Sequence, residues 1–155
     1  MKTLLKTVLI TLITACMSFQ VMANTGNDDV RELTIKGTDN LKFSMELVEA
    51  SPGEKIRMTL EVVSNMPKTA MGHNIAIVDK DADVQEFVMQ SMSAKDNEYI
   101  APALEDQVVA FTKMIGGGET SVIEFTVPEE PGDYVFVCTF PGHYFAGMKG
   151  ILRVK

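Results

Sequence analysis

CTFPGHYFAGMKG, residues 138–150, places a cysteine, a histidine and a methionine within eleven residues. Cys138 ends an apolar run, DYVFVC, that is typical of a β-strand, and a further strand candidate, KGILRVK, closes the chain. His143 and Met148 follow Cys138 at intervals of five residues, among proline, glycine and aromatic residues that favour sharp turns. The stretch therefore predicts a loop that gathers three side chains around one point.

The chemistry of these three side chains indicates a metal. A thiolate, an imidazole and a thioether together prefer a soft or borderline ion, copper above all. The chain has only two histidines, and the second, His73, lies in MGHNIAIV at the start of another strand candidate. Two imidazoles and a thiolate in one plane with a weak axial methionine form a type 1, or blue, copper site. We therefore predict one copper bound by His73, Cys138, His143 and Met148.

Most of the remaining sequence alternates between apolar and polar residues, which is typical of half-buried strands. In LKFSMELV, for example, Leu41, Phe43, Met45 and Leu47 alternate with more polar positions. Turn-forming residues separate the alternating segments. Many short strands with turns between them predict an all-β fold, a Greek-key β-sandwich. The other strand candidates are KIRMTLEVV (55–63), HNIAIV (73–78), QVVAF (107–111) and SVIEFTV (121–127).

One segment departs from this alternation. In DADVQEFVMQSM the apolar residues Val84, Phe87 and Val88 have helical spacing. Asp83, followed three residues later by a glutamate, is typical of a helix start. We therefore predict one short helix, inserted in the sandwich around residues 82–93.

The first residues are typical of an export signal. Lys2 and Lys6 flank or enter the apolar run LLKTVLITLITA, and VMA then offers a cleavage site after Ala23. These features predict a signal peptide over 1–23 and one domain over 24–155. A periplasmic protein is the resulting expectation. The alternative is a membrane-anchored lipoprotein, because ITAC, ending at Cys16, resembles a lipobox in which this cysteine becomes the lipidated first residue. No apolar run after the N-terminus is long enough for a transmembrane helix.

Charge and cysteine content narrow the classes of partner. Removing residues 1–23 takes away two lysines and no acidic residue, so the net charge of −7 becomes −9. This acidity argues against nucleic acid as a partner. The exported chain would retain a single thiol, Cys138, which has no partner for an internal disulfide. An isolated cysteine in an oxidising compartment favours a buried or metal-bound thiol.

These features resemble azurin-type cupredoxins, a family of blue copper proteins. The resemblance covers residues 60–155 well and 31–59 loosely. In one respect the chain differs from azurins, which usually have three residues between the loop histidine and the methionine. Four residues separate His143 from Met148 here, a spacing closer to that of auracyanins and plastocyanins. Three segments carry the resemblance: MPKTAMGHN (66–74), IAPALEDQVVAFTKMIGGGETSVIEFTV (100–127) and YVFVCTFPGHYFAGMKG (134–150).

The resemblance implies a role for each residue of the predicted site. His73, Cys138 and His143 would be equatorial ligands, Met148 the axial ligand, and the Gly72 carbonyl a weak second axial contact. Hydrogen bonds around these ligands are implied as well, since such contacts tune the metal by delocalising the thiolate charge.

The implied hydrogen bonds come from the neighbours of the ligands. The backbone amides of Asn74 and Phe140 would point at the cysteine sulfur, and the side chains of Asn74 and Thr139 would join the two ligand-bearing segments. The resemblance also implies an exposed apolar patch. Redox proteins such as c-type cytochromes or copper oxidoreductases would dock there, on Met66, Met71, Phe140, Pro141 and Tyr144.

The predicted function is one-electron transfer. A copper with no open coordination position has no place for a substrate, and a rigid site suits a change of one electron. The chain is therefore predicted not to be an enzyme. Copper oxidases and nitrite reductases need a second copper site with several more histidines, and a protease built on Cys138 and His143 would lack an orienting residue. The alternative is a copper-binding module for storage, delivery or stress protection, and the same ligands also tolerate zinc.

Overall fold

The computed structural model describes residues 30–155, which form two β-sheets packed face to face. The predicted signal peptide and Cys16 lie outside the described residues and stay predictions. Among the described residues, no helix is both long and apolar enough to cross a bilayer. The strands are β1 Arg31–Thr38, β2 Lys42–Phe43, β3 Leu47–Ala50, β4 Lys55–Val63, β5 Ala76–Val78, β6 Val108–Phe111, β7 Thr120–Thr126, β8 Gly132–Val137 and β9 Lys149–Val154. The α-helices are α1 Lys68–Met71 and α2 Val84–Ser91, and two short 3₁₀ helices span Lys95–Asn97 and Pro102–Gln107.

The order of the strands confirms the predicted β-sandwich. The first sheet has the order β2-β1-β4-β7 and the second has the order β3-β9-β8-β5-β6. β1 pairs in parallel with β4, and β3 with β9, while the other pairs are antiparallel. Parallel neighbours require connections that cross from one sheet to the other, which is how a Greek-key sandwich encloses its core.

The core lies between the two sheets, with a smaller second cluster outside. β4 follows the predicted alternation, with Ile56, Met58 and Leu60 completely buried between the sheets. β5 is buried on both faces because its outer face packs under α2, against Phe87 and Val88. Two-sided burial makes β5 a rigid support, and the segment that leads into it carries His73.

The segment LKFSMELV does not form one alternating strand, and this prediction was wrong. β2 belongs to the first sheet and β3 to the second, so the chain changes sheets between them. The alternation of buried and exposed residues shifts by one position where the chain changes sheets. Leu47, which the pattern places inside, is 47% exposed, whereas Val48 is buried. The pairing of β1 with β2 ends at Ser44. Its N–H donates to the Lys36 carbonyl, and its hydroxyl accepts the Lys36 N–H.

The predicted helix is present, with shorter ends. α2 begins at Val84, and the Asp83 carboxylate accepts a hydrogen bond from Glu86 N–H at 3.0 Å, as an N-cap residue does. Among residues 30–155, β1, α1 and the two 3₁₀ helices were not predicted. β1 has a clear alternation, with Leu33 and Ile35 buried, so its own sequence pattern is typical of a strand. The four residues of α1 are too few to leave a periodic signal.

Candidate metal centre

Three of the four predicted ligands form one buried cluster. The potential ligand atoms of His73, Cys138 and His143 all lie within 4.8 Å of one another. The Cys138 sulfur lies 3.4 Å from His143 Nδ1 and 3.9 Å from His73 Nδ1. The carbonyl oxygen of Gly72 lies 3.9 Å from the same sulfur. Only His143 has any measurable exposure, 5%, so the cluster is almost completely closed to solvent.

The loop between β8 and β9 holds its ligand residues through its own backbone. Cys138 N–H donates to the Met148 carbonyl at 3.1 Å, and Met148 N–H donates to the His143 carbonyl at 3.0 Å. His143 N–H in turn donates to the Phe140 carbonyl at 3.1 Å. These three bonds, all between backbone groups of residues 138–148, tie the three candidate ligands of the loop to one another.

His73 reaches the cluster from a distant segment. An antiparallel bridge pairs its backbone with Ile115, through two hydrogen bonds of 2.9 and 3.0 Å. The next residue, Asn74, joins this segment to the loop: its side-chain oxygen accepts Thr139 N–H at 2.9 Å, and its amide group donates to the Thr139 hydroxyl at 2.8 Å. Both residues of this junction are completely buried, and the implied contact between Asn74 and Thr139 is confirmed.

Glu98 supports this junction, and sequence reasoning missed it. Its backbone has the left-handed conformation, with φ of 53°, and its carbonyl accepts a hydrogen bond from the Asn74 side chain at 3.1 Å. Its carboxylate accepts Met114 N–H at 2.7 Å. No local pattern marks such a residue, because both of its contacts are with residues distant in sequence.

Gly37 of β1 lies against two of the predicted ligands. A Cβ atom at this position would lie 3.2 Å from the methyl carbon of Met148 and 3.4 Å from Cγ of His73. The Met148 side chain is completely buried, so it and the His73 ring share one wall of the site. The sequence carried a signal for this contact, because a glycine at an inward position of a strand often marks close approach.

Burial sets the protonation of the cluster. Burial raises the pKa of the Cys138 thiol to about 12, although the N–H groups of Asn74 and Phe140 donate to the sulfur and oppose this rise. Burial, and secondarily the neighbouring His73, lowers the pKa of His143 to about 4. Burial also lowers the pKa of His73, against a weaker opposing effect of Asp39. At neutral pH both imidazoles are therefore uncharged and can donate a lone pair.

The chemistry of these donors fits one type 1 copper. Two neutral imidazoles and a thiol that becomes a thiolate on metal binding are the strong donors of such a site, and the buried thioether of Met148 adjoins them. His73 Nε2 is a buried nitrogen for which residues 30–155 provide no hydrogen-bond partner. A β-sandwich with this site at one end defines a cupredoxin.

The chain belongs to the plastocyanin/azurin family of copper-binding proteins, whose family model matches residues 30–155. It is 34% identical to azurin of Alcaligenes faecalis over 126 residues, which cover 79% of this chain and 97% of that protein. It is 37% identical to outer membrane protein H.8 of Neisseria gonorrhoeae over 112 residues, 71% of this chain and 60% of that protein. The structure of reduced auracyanin from Roseiflexus castenholzii is similar with a TM-score of 0.70 and 32% identity, covering 80% of this chain and 96% of auracyanin. The predicted resemblance to azurin-type cupredoxins is confirmed.

The residues of the predicted apolar patch are exposed to different degrees. Met66 is 42% exposed and Pro141 is exposed, whereas Met71 is half-buried. The half-buried ring of Phe140 lies 4.7 Å from the His143 ring, measured between centroids. Tyr144 is half-buried too, and it packs against the second cluster under α2. The next residue in the loop, Phe145, is an aromatic side chain that is 54% exposed.

Proposed function

We propose that this protein carries single electrons between redox proteins through one copper ion. In this proposal His73, Cys138 and His143 are the equatorial ligands, Met148 is the axial ligand, and the Gly72 carbonyl is a weak contact. The observation that carries it is the buried cluster itself, in which a thiol and two neutral imidazoles lie within 4.8 Å of one another. When bound, the copper supplies the one-electron couple.

The protein contributes rigidity and the hydrogen bonds to the sulfur. The ligand residues of the loop are tied by backbone hydrogen bonds, and the buried bonds between Asn74 and Thr139 hold the two ligand-bearing segments together. The site therefore changes shape little between two oxidation states. The N–H groups of Asn74 and Phe140 stabilise charge on the Cys138 sulfur and so influence the reduction potential.

Electrons would leave through His143, which is 5% exposed and contacts the ring of Phe140, one of the residues of the patch. Met66, Pro141 and Phe140 offer a surface on which a partner can dock without desolvating charges. Redox contacts of this kind are small and brief. The partners we propose are c-type cytochromes or copper oxidoreductases. The net charge of the chain would act at longer range and would fade as salt increases.

We also propose that the protein works outside the cytoplasm. The support is the signal-like segment over residues 1–23, which predicts a periplasmic protein. Lipidation at Cys16 remains the alternative, and outer membrane protein H.8 is a relative whose name places that protein at a membrane. Mass spectrometry of the protein purified from an exporting host distinguishes a chain that begins after residue 23 from one that begins at a lipidated Cys16.

Electron self-exchange of the copper-loaded protein tests the function. We expect Met66→Lys to slow self-exchange about fivefold or more at low salt, because the new charges face each other across the docked pair. Met89→Lys is the matched control, since Met89 is 54% exposed on α2 and is not one of the residues of the patch. Exchange is measured by NMR line broadening, and both variants should keep the visible spectrum.

Two results would contradict the proposal. Equal rates in Met66→Lys and the unchanged protein would place the electron exit elsewhere. A copper-loaded protein that shows no measurable self-exchange, but gives up its copper to an acceptor protein, would favour the storage or delivery module instead.

A further inference from the structure

A lysine from the first sheet reaches the copper loop. Lys42 begins β2, opposite Thr38 of β1, and its ammonium group donates a hydrogen bond to the Gly147 carbonyl at 3.2 Å. Gly147 is the last residue before Met148. Within residues 30–155, the Cys138 sulfur contacts His143 and accepts the Phe140 N–H, and the Lys42 bond is the other side-chain hydrogen bond that joins loop residues 140–147 to the rest of the protein.

Gly147 is suited to this contact in two ways. Its φ of +95° favours glycine, and a Cβ atom at this position would lie 2.7 Å from the Lys42 nitrogen. Its carbonyl also accepts Lys149 N–H at 3.0 Å, so both of its lone pairs are used. A side chain at residue 147 would therefore displace Lys42 as well as strain the backbone.

The β1–β2 hairpin thus contacts Met148 from two directions. Gly37 approaches the end of the methionine side chain, and Lys42, which follows the turn, holds the peptide group that precedes Met148. The turn between them is fixed by a hydrogen bond from Leu41 N–H to the Thr38 carbonyl at 2.9 Å. A shift of the hairpin would therefore move both contacts together.

We propose that Lys42 is a positioning residue for Met148: its bond to the Gly147 carbonyl sets the position of the thioether relative to the copper. The loop has four residues between His143 and Met148, and Gly147 is the last of them, so the Lys42 bond acts where the loop rejoins β9. This inference rests on the proposed role of Met148 as axial ligand.

The positive charge of Lys42 would also raise the reduction potential by itself, and a control must separate the two effects. Lys149 provides it. Its ammonium lies 5.1 Å from the centre of the Tyr144 ring, it adjoins Met148 in sequence, and its side chain makes no hydrogen bond to Gly147. Lys149→Met removes the same charge from the same end of the protein while leaving the Lys42 bond in place.

Amide hydrogen exchange in the metal-free protein tests the bond without the copper. The amides to follow are those of Ala146, which donates to the Gly142 carbonyl, and Gly147, which donates to the Tyr144 carbonyl. We expect Lys42→Met to speed their exchange about threefold, the ratio that roughly 0.7 kcal/mol represents. Lys42→Arg and Lys149→Met should leave it unchanged, and the amides of β4 report any global loss of stability.

The visible and electron paramagnetic resonance spectra of the copper-loaded variants test the consequence for the metal. Lys42→Met should change the relative intensities of the thiolate-to-copper bands, and Lys149→Met should not. Unchanged exchange in Lys42→Met, or identical spectra and potentials in the two variants, would overturn the proposal in favour of a charge effect alone. Met148→Leu separates this failure from that of the proposed function: if it leaves the spectrum and potential unmoved, the axial assignment itself is wrong.

Discussion

The two regions that bring ligands to the metal centre are built in opposite ways. The loop over residues 138–148 supplies three candidate ligands from one contiguous stretch and closes on itself through backbone hydrogen bonds. The segment at His73 supplies one candidate ligand, and this segment is held by residues that are distant in sequence: Ile115 bonds its backbone, and Asn74 bonds Thr139 across 65 residues. The loop is a local structure, whereas the position of His73 depends on the assembled sandwich.

This difference shows where the site is robust and where it is sensitive. Substituting a candidate ligand in the loop removes one donor but leaves the backbone hydrogen bonds of the loop in place. Substituting Asn74 instead removes the hydrogen bonds that join the His73 segment to the loop. Substitutions in the loop, in the His73 segment and at the junction between them should therefore differ in their effects.

The largest effect should come from replacing a donor in each region. Cys138→Ser should abolish the intense visible band of the copper-loaded protein, because a hydroxyl is a poor ligand for a soft ion. His73→Ala should leave the loop intact and open a cavity beside it, so that added imidazole restores the band. Visible spectra with and without imidazole decide the matter, and a blue Cys138→Ser protein would refute the ligand assignment.

Removing the hydrogen bonds between Asn74 and Thr139, which join the two regions, should lower the free energy of unfolding. Asn74→Ala leaves the buried Thr139 N–H without its acceptor, and we expect the free energy of unfolding to fall by about 2–3 kcal/mol. Thr139→Val is the control: it removes the hydroxyl contact but keeps the backbone bond, so it should cost about 1 kcal/mol. Urea denaturation of the metal-free variants measures both. Equal losses would show that the junction does not depend on the backbone bond.

Acid should destabilise the metal-free protein through the two imidazoles. The pKa of His143 lies at about 4 in the folded protein and near its ordinary value of 6.5 when unfolded. The unfolded chain therefore binds protons first, so this contribution to stability is complete above about pH 6.5 and is lost as the pH falls towards 4. His143→Ala should flatten the profile in this window. Urea midpoints across pH 4–7 measure it, and a slope that is unchanged in the variant would assign the effect to other groups.

The smallest effect should come from Gly37, which contacts one residue of each region. Gly37→Ala forces His73 or Met148 to move by a few tenths of an ångström, and we expect a loss of about 1 kcal/mol with a small shift of the visible bands. Denaturation and the spectrum of the loaded protein measure these changes. A variant with wild-type stability and spectrum would show that β1 is not part of the wall of the site.

The accuracy of the sequence predictions follows the same division. The loop was predictable because its ligands, its turns and the strand before it are neighbours in sequence. β4 and α2 were predictable too, since each has its own periodicity of apolar residues. The change of sheet after Phe43 was not, because it depends on which distant strand each half pairs with.

The supporting residues of the site show the same limit. Glu98 orients Asn74 through its carbonyl, and Lys42 reaches Gly147 across 105 residues. Neither residue belongs to a motif, because their contacts exist only once separate strands and loops have been brought together. The composition gave an indirect clue to the remote ligand: with only two histidines in the chain, His73 was the one available.

What the sequence by itself determined is the chemistry of the site: which donors are available, their spacing in the loop, and the alternating strands that form a sandwich. These properties depend on residue type and on neighbours along the chain, so they can be read locally. Only the tertiary structure decided where His73 lies, which groups bond to Asn74 and to the cysteine sulfur, and how burial shifts the pKa values of the three donors. Those properties arise from packing between segments up to 105 residues apart, and burial exists only after the sheets have closed over the site.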